Sequence, residues 1–162
     1  MGLSSLRGDR AVRCRLVGSD CQICAKHRGE GPLGGELVTR IDGFWIYHAP
    51  AGKDGLASLG HLLIESDRHA PYLDNLNKTE AAALGRLRTR LAGALRAELA
   101  VEQVFAAVIG RGIAHFHEHV FARHAGTPDD VPWHLSDEAA PRADRAAVTE
   151  LARRLGQRLT TT

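Results

Sequence analysis

Apolar positions gather in three short stretches in the first half of the chain, Glu36–Ile41, Phe44–His48 and Gly60–Glu65, which have strand-like character. Short runs of aromatic, β-branched and aliphatic residues bounded by turn signals mark strands. Asp42-Gly43 between the first two is a tight hairpin turn, because both residues tolerate a left-handed backbone. The pattern then changes. Leu84, Leu87, Leu91 and Leu95 recur at helical spacing, which predicts a long helix from Lys78 to about Ala100. Asn77 and Glu80 form a capping box at its start. Arg86, Arg88, Arg90 and Arg96 fall mostly off the leucine face and are read as solvated. Val101–Ile109 is β-branched and apolar and predicts a strand, and Gly110-Arg111-Gly112 leads into another over Ala114–Ala122, ended by Gly126-Thr127-Pro128. A short helix at Cys21–Arg28, capped by Ser19 or Asp20, opens the pattern; a helix over Arg142–Leu159, marked by Val148, Leu151, Leu155 and Leu159, closes it.

Strands, one long helix and then more strands describe an α+β fold: an antiparallel sheet of about five strands, one long helix, a short N-terminal helix and a C-terminal helix. At 162 residues the chain is one domain. We divide it into a flexible arm at 1–19, a catalytic domain at 20–124, and an extension at 125–162 whose helix packs on the same domain.

Composition narrows the function by exclusion. A hydrophobic share of 44% and a charged share of 25% are those of an ordinary globular chain. A net charge of +2 is too small for nucleic-acid or membrane binding by bulk electrostatics. No apolar run reaches the roughly 20 residues of a membrane span. Arg7, Arg10, Arg13 and Arg15 have no apolar block behind them and read as a solvated arm, not a secretory signal. Three cysteines, Cys14, Cys21 and Cys24, make no even disulfide framework and place the chain in a reducing cytoplasm.

Two constellations carry chemistry. His115, His117 and His119 alternate, so as a strand they would share one face at about 6–7 Å spacing. Clustered neutral imidazoles bind metals or transfer groups through a nucleophilic nitrogen. Cys21-Gln22-Ile23-Cys24 brings two thiols together. Such a pair holds zinc or forms a redox dithiol; the absence of a βαβ pattern favours zinc, with two further ligands supplied from elsewhere, for which the histidines are candidates.

Together these residues resemble the histidine triad (HIT) family. The resemblance rests on Cys21-x-x-Cys24, on Gly60-His61-Leu62-Leu63-Ile64-Glu65-Ser66-Asp67-Arg68-His69 with Leu73-Asp74-Asn75-Leu76, and on His115-x-His117-x-His119-Val120. It spans about Asp20 to His124. It implies a structural zinc on Cys21, Cys24, His69 and His115. It makes His117 the residue that attacks the α-phosphorus of a nucleotide and becomes nucleotidylated, and His119 the one that places and neutralises phosphate oxygens. The implied activity is that of a hydrolase or nucleotidyltransferase acting on a phosphoanhydride or phosphoramidate such as an adenylated small molecule. The implied assembly is a homodimer.

The chain departs from the family pattern around the substrate. Ile109-Gly110 stand where many members have an asparagine, and Arg111 and Gly112 replace a glutamine and a Ser or Thr. Arg111 is a candidate phosphate ligand or a solvated turn residue. The acidic ribose-binding position corresponds to Ala49, beside His48; Tyr47 stacks on a base or belongs to the core. These substitutions leave open a second reaction class, a lyase or non-nucleotide transfer on the same scaffold, and a third reading, a non-catalytic nucleotide-binding module. Glu118, between two histidines, points away from them and needs an arginine partner if its face is buried. Trp133 and His134 either pack on the surface or reach a neighbouring active site.

Overall fold

The computed structural model describes residues 21–161. The arm at 1–19, Ser19, Asp20 and Cys14 therefore lie outside the described residues. Helix α1 spans Gln22–His27, strands β1 and β2 span Glu36–Ile41 and Phe44–His48, the two-residue β3 is Ala57–Ser58, and β4 is Leu62–Ser66. Helix α2 spans Lys78–Glu98, followed by β5 (Val101–Ala107), β6 (His117–His124), the two-residue β7 (Arg142–Ala143) and helix α3 (Arg145–Thr160).

Five strands form one antiparallel sheet in the order β1-β2-β4-β6-β5, and β3 pairs with β7 apart from it. The β1–β2 hairpin turns at Asp42 and Gly43, whose φ angles of 53° and 83° are the left-handed pair such a turn demands. α2 begins as its sequence dictates: the Asn77 side chain accepts the Glu80 N–H at 2.9 Å, and Glu80 accepts the Asn77 N–H at 2.8 Å. α3 starts later than its apolar spacing predicts. Arg142 and Ala143 pair with Ser58 and Ala57, and the Asp144 side chain then accepts the Ala147 N–H at 2.9 Å, so the first turn begins only after that cap.

Both long helices lie on one face of the sheet. Leu84, Leu87, Leu91 and Leu95 of α2 and Leu151, Leu155 and Leu159 of α3 bury against Phe44, Ile46, Leu62, Ile64 and Val120. The approach of α3 is close: a Cβ on Gly156 would stand 2.6 Å from the Val38 carbonyl oxygen, so only glycine lets the helix meet β1 there. The opposite face stays open along its middle. Register places Trp45, Glu65 and His117 in one row across that face, and Tyr47, Leu63 and His119 in the next.

Arg86 and Arg96 of α2 are exposed as the sequence reading has them, but Arg88 and Arg90 are half-buried, which corrects it. Arg88 Nε donates to both oxygens of Glu118 at 2.9 Å. Arg90 donates to the Leu159 carbonyl, and Arg96 Nη2 donates to the Glu102 carbonyl at 2.8 Å. They lie off the leucine stripe, yet they tie α2 to its neighbours, because their long stems reach over the apolar rim. No helix among the described residues is long and apolar enough to cross a membrane.

Candidate active site and metal centre

β6 begins at His117, not at Ala114, so the three histidines do not share a ladder. The chain approaches the sheet through Phe116, whose N–H is held by the Ala70 carbonyl and whose carbonyl accepts the Ser66 N–H at 3.1 Å. His115 is thereby turned out of the row and buried beside α1.

There it joins Cys21, Cys24 and His69, whose ligand atoms all lie within 4.8 Å of one another. His115 Nδ1 stands 3.4 Å from each sulfur, and His69 Nδ1 stands 3.5 Å from Cys24 Sγ. A tetrahedral zinc with Zn–S of about 2.3 Å and Zn–N of about 2.0 Å separates nitrogen from sulfur by about 3.5 Å, so the donor set fits the ion. The tautomer fits as well. His115 Nε2 donates to the Ser66 carbonyl at 2.7 Å, which leaves the Nδ1 lone pair facing the sulfurs. Burial and then the adjacent Cys21 push the Cys24 thiol up to about 11. Burial and the neighbouring His27 and His69 hold His115 down at about 4, as a neutral ligand requires. The two cysteines form no disulfide.

Helix α1 packs over one end of the open face. His27 stacks on Trp45 with ring centroids 4.8 Å apart. The Glu65 carboxylate, 1% exposed, pairs with Lys26 and with His27 Nε2 at 2.9 Å. Those two partners hold Glu65 below the usual carboxylate range although burial opposes it. Lys26 also sits 4.0 Å above the Tyr47 ring, and Tyr47 is buried. Lys26 and His27 were not marked by the sequence, and Glu65 stood in the Gly-His segment without a role: each is an ordinary polar or charged residue until α1 docks over the sheet.

The histidine row lies next to this cluster. His117 Nδ1 donates to the His115 carbonyl at 2.7 Å, so its Nε2 carries the lone pair. His117 and His119 have ring centroids 5.7 Å apart. Burial first, then His61 and His117, hold His119 at about 4, so it is neutral near pH 7. Its Nδ1 meets His61 Nε2 at 3.0 Å, and His61 Nδ1 meets the Asp137 carboxylate at 3.2 Å. The Gly-His motif pointed to His61; nothing local in the sequence pointed to Asp137. Gly110 presses on the nucleophile candidate: a Cβ there would stand 2.6 Å from His117 Cε1.

Three further residues were named from the sequence. Arg111 is exposed in the loop next to Gly110. Tyr47 lies on the histidine face, beneath Lys26 and stacked between neighbours. His48 is a correction, because strand alternation points it into the core, fully buried. Its Nδ1 donates to the Ala49 carbonyl at 2.9 Å and its Nε2 accepts the Gly60 N–H at 3.1 Å, so both nitrogens are committed to backbone. It has no ring atom left for a substrate. Glu118 is 2% exposed on the helix-covered face, where Arg88 is the arginine partner it needs.

The segment after β6 roofs the other end of the site. Trp133 stacks on Phe121 at 6.4 Å and tilts against Phe105 at 5.7 Å, so it covers its own chain's sheet. Arg123 anchors this segment by donating to the Val131 and Pro128 carbonyls.

No family model matches the sequence, and no curated protein does. Solved structures do. A zinc-bound histidine triad family protein from Mycobacterium smegmatis superposes with a TM-score of 0.63 at 21% identity, covering 89% of this chain and 96% of its own. A histidine triad protein from Bradyrhizobium japonicum gives 0.63 at 17%, covering 76% and 90%. A hypothetical histidine triad nucleotide-binding protein from Sulfolobus tokodaii gives 0.58 at 16%, covering 93% and 92%. With five antiparallel strands, flanking helices and a histidine row on the open face, the chain has the fold of histidine triad proteins.

Proposed function

We propose that the protein is a nucleotidyl hydrolase or transferase that works through a covalent intermediate on His117. The observation that carries this reading is the hydrogen bond from His117 Nδ1–H to the His115 carbonyl at 2.7 Å. It fixes the tautomer in which Nε2 is the nucleophile. Nε2 attacks the α-phosphorus of a phosphoanhydride or phosphoramidate, the bond to the leaving group breaks, and the leaving group departs with the electron pair of that bond and takes a proton from solvent. Water or another acceptor then attacks phosphorus, the P–N bond breaks, and its electron pair returns to Nε2. Splitting one displacement into two lowers each barrier. Arg111, exposed beside the site, is the candidate ligand for phosphate oxygens.

Cys21, Cys24, His69 and His115 are the residues that would hold zinc. A closed set of four ligands leaves no open position, so the ion would supply structure and not an activated water. It would clamp α1 onto the sheet and fix His115, whose carbonyl orients His117. Thiolate ligands suit the reducing cytoplasm in which we place the protein. We also infer a homodimer: β5 is the outer edge of the sheet, and Val108 and Ile109 beyond it are 43% and 56% exposed.

A second reading, a non-nucleotidyl reaction on this scaffold, is favoured by Ala49 at the ribose position and by the charged Lys26–Glu65 pair packed against Tyr47. One experiment separates the two. Zinc-loaded wild type and His117→Ala are offered AMP and GMP phosphoramidates, dinucleoside polyphosphates and acyl adenylates, with products followed by mass spectrometry. Monophosphate released by wild type alone supports the nucleotidyl reading. No release from any of them removes it and leaves the second, or the non-catalytic nucleotide-binding module.

A further inference from the structure

The resemblance to the histidine triad pattern ends near His124, but the site does not. Three titratable groups run in file from the histidine row into the segment that follows. His119 Nδ1 and His61 Nε2 are 3.0 Å apart, and His61 Nδ1 and Asp137 Oδ2 are 3.2 Å apart. The His61 and Asp137 side chains are 16% and 26% exposed, so solvent only partly competes for the pair. Asp137 is carried to this place by a short 3-10 turn, Trp133–Leu135, whose tryptophan is seated on Phe121 and Phe105. Buried Ser136 precedes it.

We propose that Asp137 is a positioning residue that sets the tautomer of His119 through His61, and so makes His119 Nε2 a proton acceptor. The inference rests on the nucleotidyl reading above and adds to it a residue from outside the recognised motif. Its logic is proton bookkeeping. A carboxylate beside His61 Nδ1 draws the ring proton to that nitrogen. His61 Nε2 then has only a lone pair, so the 3.0 Å contact needs its proton on His119 Nδ1. His119 Nε2 is left with a lone pair. In this state it cannot donate to a phosphate oxygen; it first takes a proton.

That assignment gives His119 a defined part in the second displacement. Water attacks the phosphorus bound to His117, the P–N bond breaks, its electrons return to His117 Nε2, and the proton of water passes to His119 Nε2. The positive charge that forms on the His119–His61 pair faces the negative charge of Asp137. The proton then leaves to solvent, which restores the starting state. The other ionisable groups near the pair are His117 and Glu65 of the sheet beside His119 and the buried His48 beside His61. Glu65 is already committed to Lys26 and His27, so Asp137 is the group that contacts the pair with an opposite charge.

The test uses zinc-loaded full-length protein labelled with 15N-histidine. Imidazole spectra near pH 7 are expected to show both His61 and His119 protonated on Nδ1. In Asp137→Asn, whose amide can also donate, that preference is expected to weaken or invert. In single-turnover kinetics on the best substrate of the screen, Asp137→Asn is expected to slow breakdown of the His117 intermediate by about 10²-fold, within the usual reach of general base catalysis. Substrate binding should change little, Asp137→Glu should recover part of the rate, and Asp130→Asn, exposed in the same segment, should match wild type. A wild-type His119 protonated on Nε2 overturns the proposal, as does intermediate breakdown at the wild-type rate in Asp137→Asn. If wild type releases no monophosphate, the nucleotidyl reading fails, and the spectra alone decide the Asp137 assignment.

Discussion

Arg88 and Glu118 offer the sharpest check on how this fold tolerates a charge between its catalytic candidates. Glu118 is 2% exposed and pairs with Arg88 Nε through both oxygens at 2.9 Å. Its strand neighbours in the same layer are Ile64 across the ladder and Val120 along the chain. The perturbation is Arg88→Met, which keeps the apolar stem and removes the guanidinium. Stranding one member of a fully buried pair costs about 3–5 kcal/mol. The Arg88 side chain is 40% exposed, so water screens its end of the pair. We therefore expect a loss of about 2–3 kcal/mol, at or just below the lower limit of that range. For a domain of this size that is a fall in Tm of about 5–10 °C. The assay is urea unfolding of zinc-loaded protein, where the midpoint should move and the slope should not. Arg88→Met with Glu118→Leu should recover most of the loss, because no charge is then left in the layer. A single-variant cost below about 1 kcal/mol, or additive costs in the double variant, would refute the reasoning. Glu118→Gln should retain turnover, because the carboxyl lies on the face opposite the histidine row.

Three further outcomes follow from the same geometry. Gly110→Ala should leave unfolding nearly unchanged yet cut turnover by about 10²-fold, since its Cβ would displace the His117 ring; a fully active variant would show that the loop yields instead. Removing metal with a chelator, or Cys24→Ser, should lower Tm and shift the emission of Trp45, which stacks on His27 of the clamped helix; unchanged melting on metal loss would count against the clamp. His119 is neutral in the fold, held at about 4 against 6.5 when free, so the unfolded chain binds the extra proton between those values. Its contribution to stability is therefore full above pH 6.5 and is lost as pH falls toward 4, on the order of 1–2 kcal/mol once solvent screening of this part-exposed ring is allowed for. His119→Asn should flatten that acid slope in unfolding measured between pH 7 and 4.5, and an equal slope in both proteins would exclude His119 as its source.

Local signals in the sequence carried most of the architecture. The Asn77 cap, the leucine spacing of α2 and the Asp42-Gly43 turn act between residues a few positions apart, so they read directly from the chain. The metal set was legible for another reason: the Cys21-x-x-Cys24 pair pointed to zinc by itself, the resemblance to the histidine triad pattern implied His69 and His115 as its partners, and the structure gathers all four. Their place relative to the sheet was not legible. Alternation predicts one row of three histidines, but the Phe116 backbone bonds to Ala70 and Ser66 turn His115 aside before the ladder begins.

What remained belonged to tertiary structure. His48 reads as a polar residue beside a substrate position, and only the pleat register sends it into the core, where Gly60 and Ala49 absorb both nitrogens. Arg88 reads as solvated until strand β6 offers it a buried acid. Lys26, His27 and Glu65 form one cluster only after α1 docks, and Asp137 meets His61 only because Trp133 finds Phe121 and Phe105. Periodicity decides which side of an element faces the core. It does not decide which distant element arrives to face it, because that depends on the summed packing of the whole chain, and a charged or polar side chain takes its role from whatever partner that packing delivers.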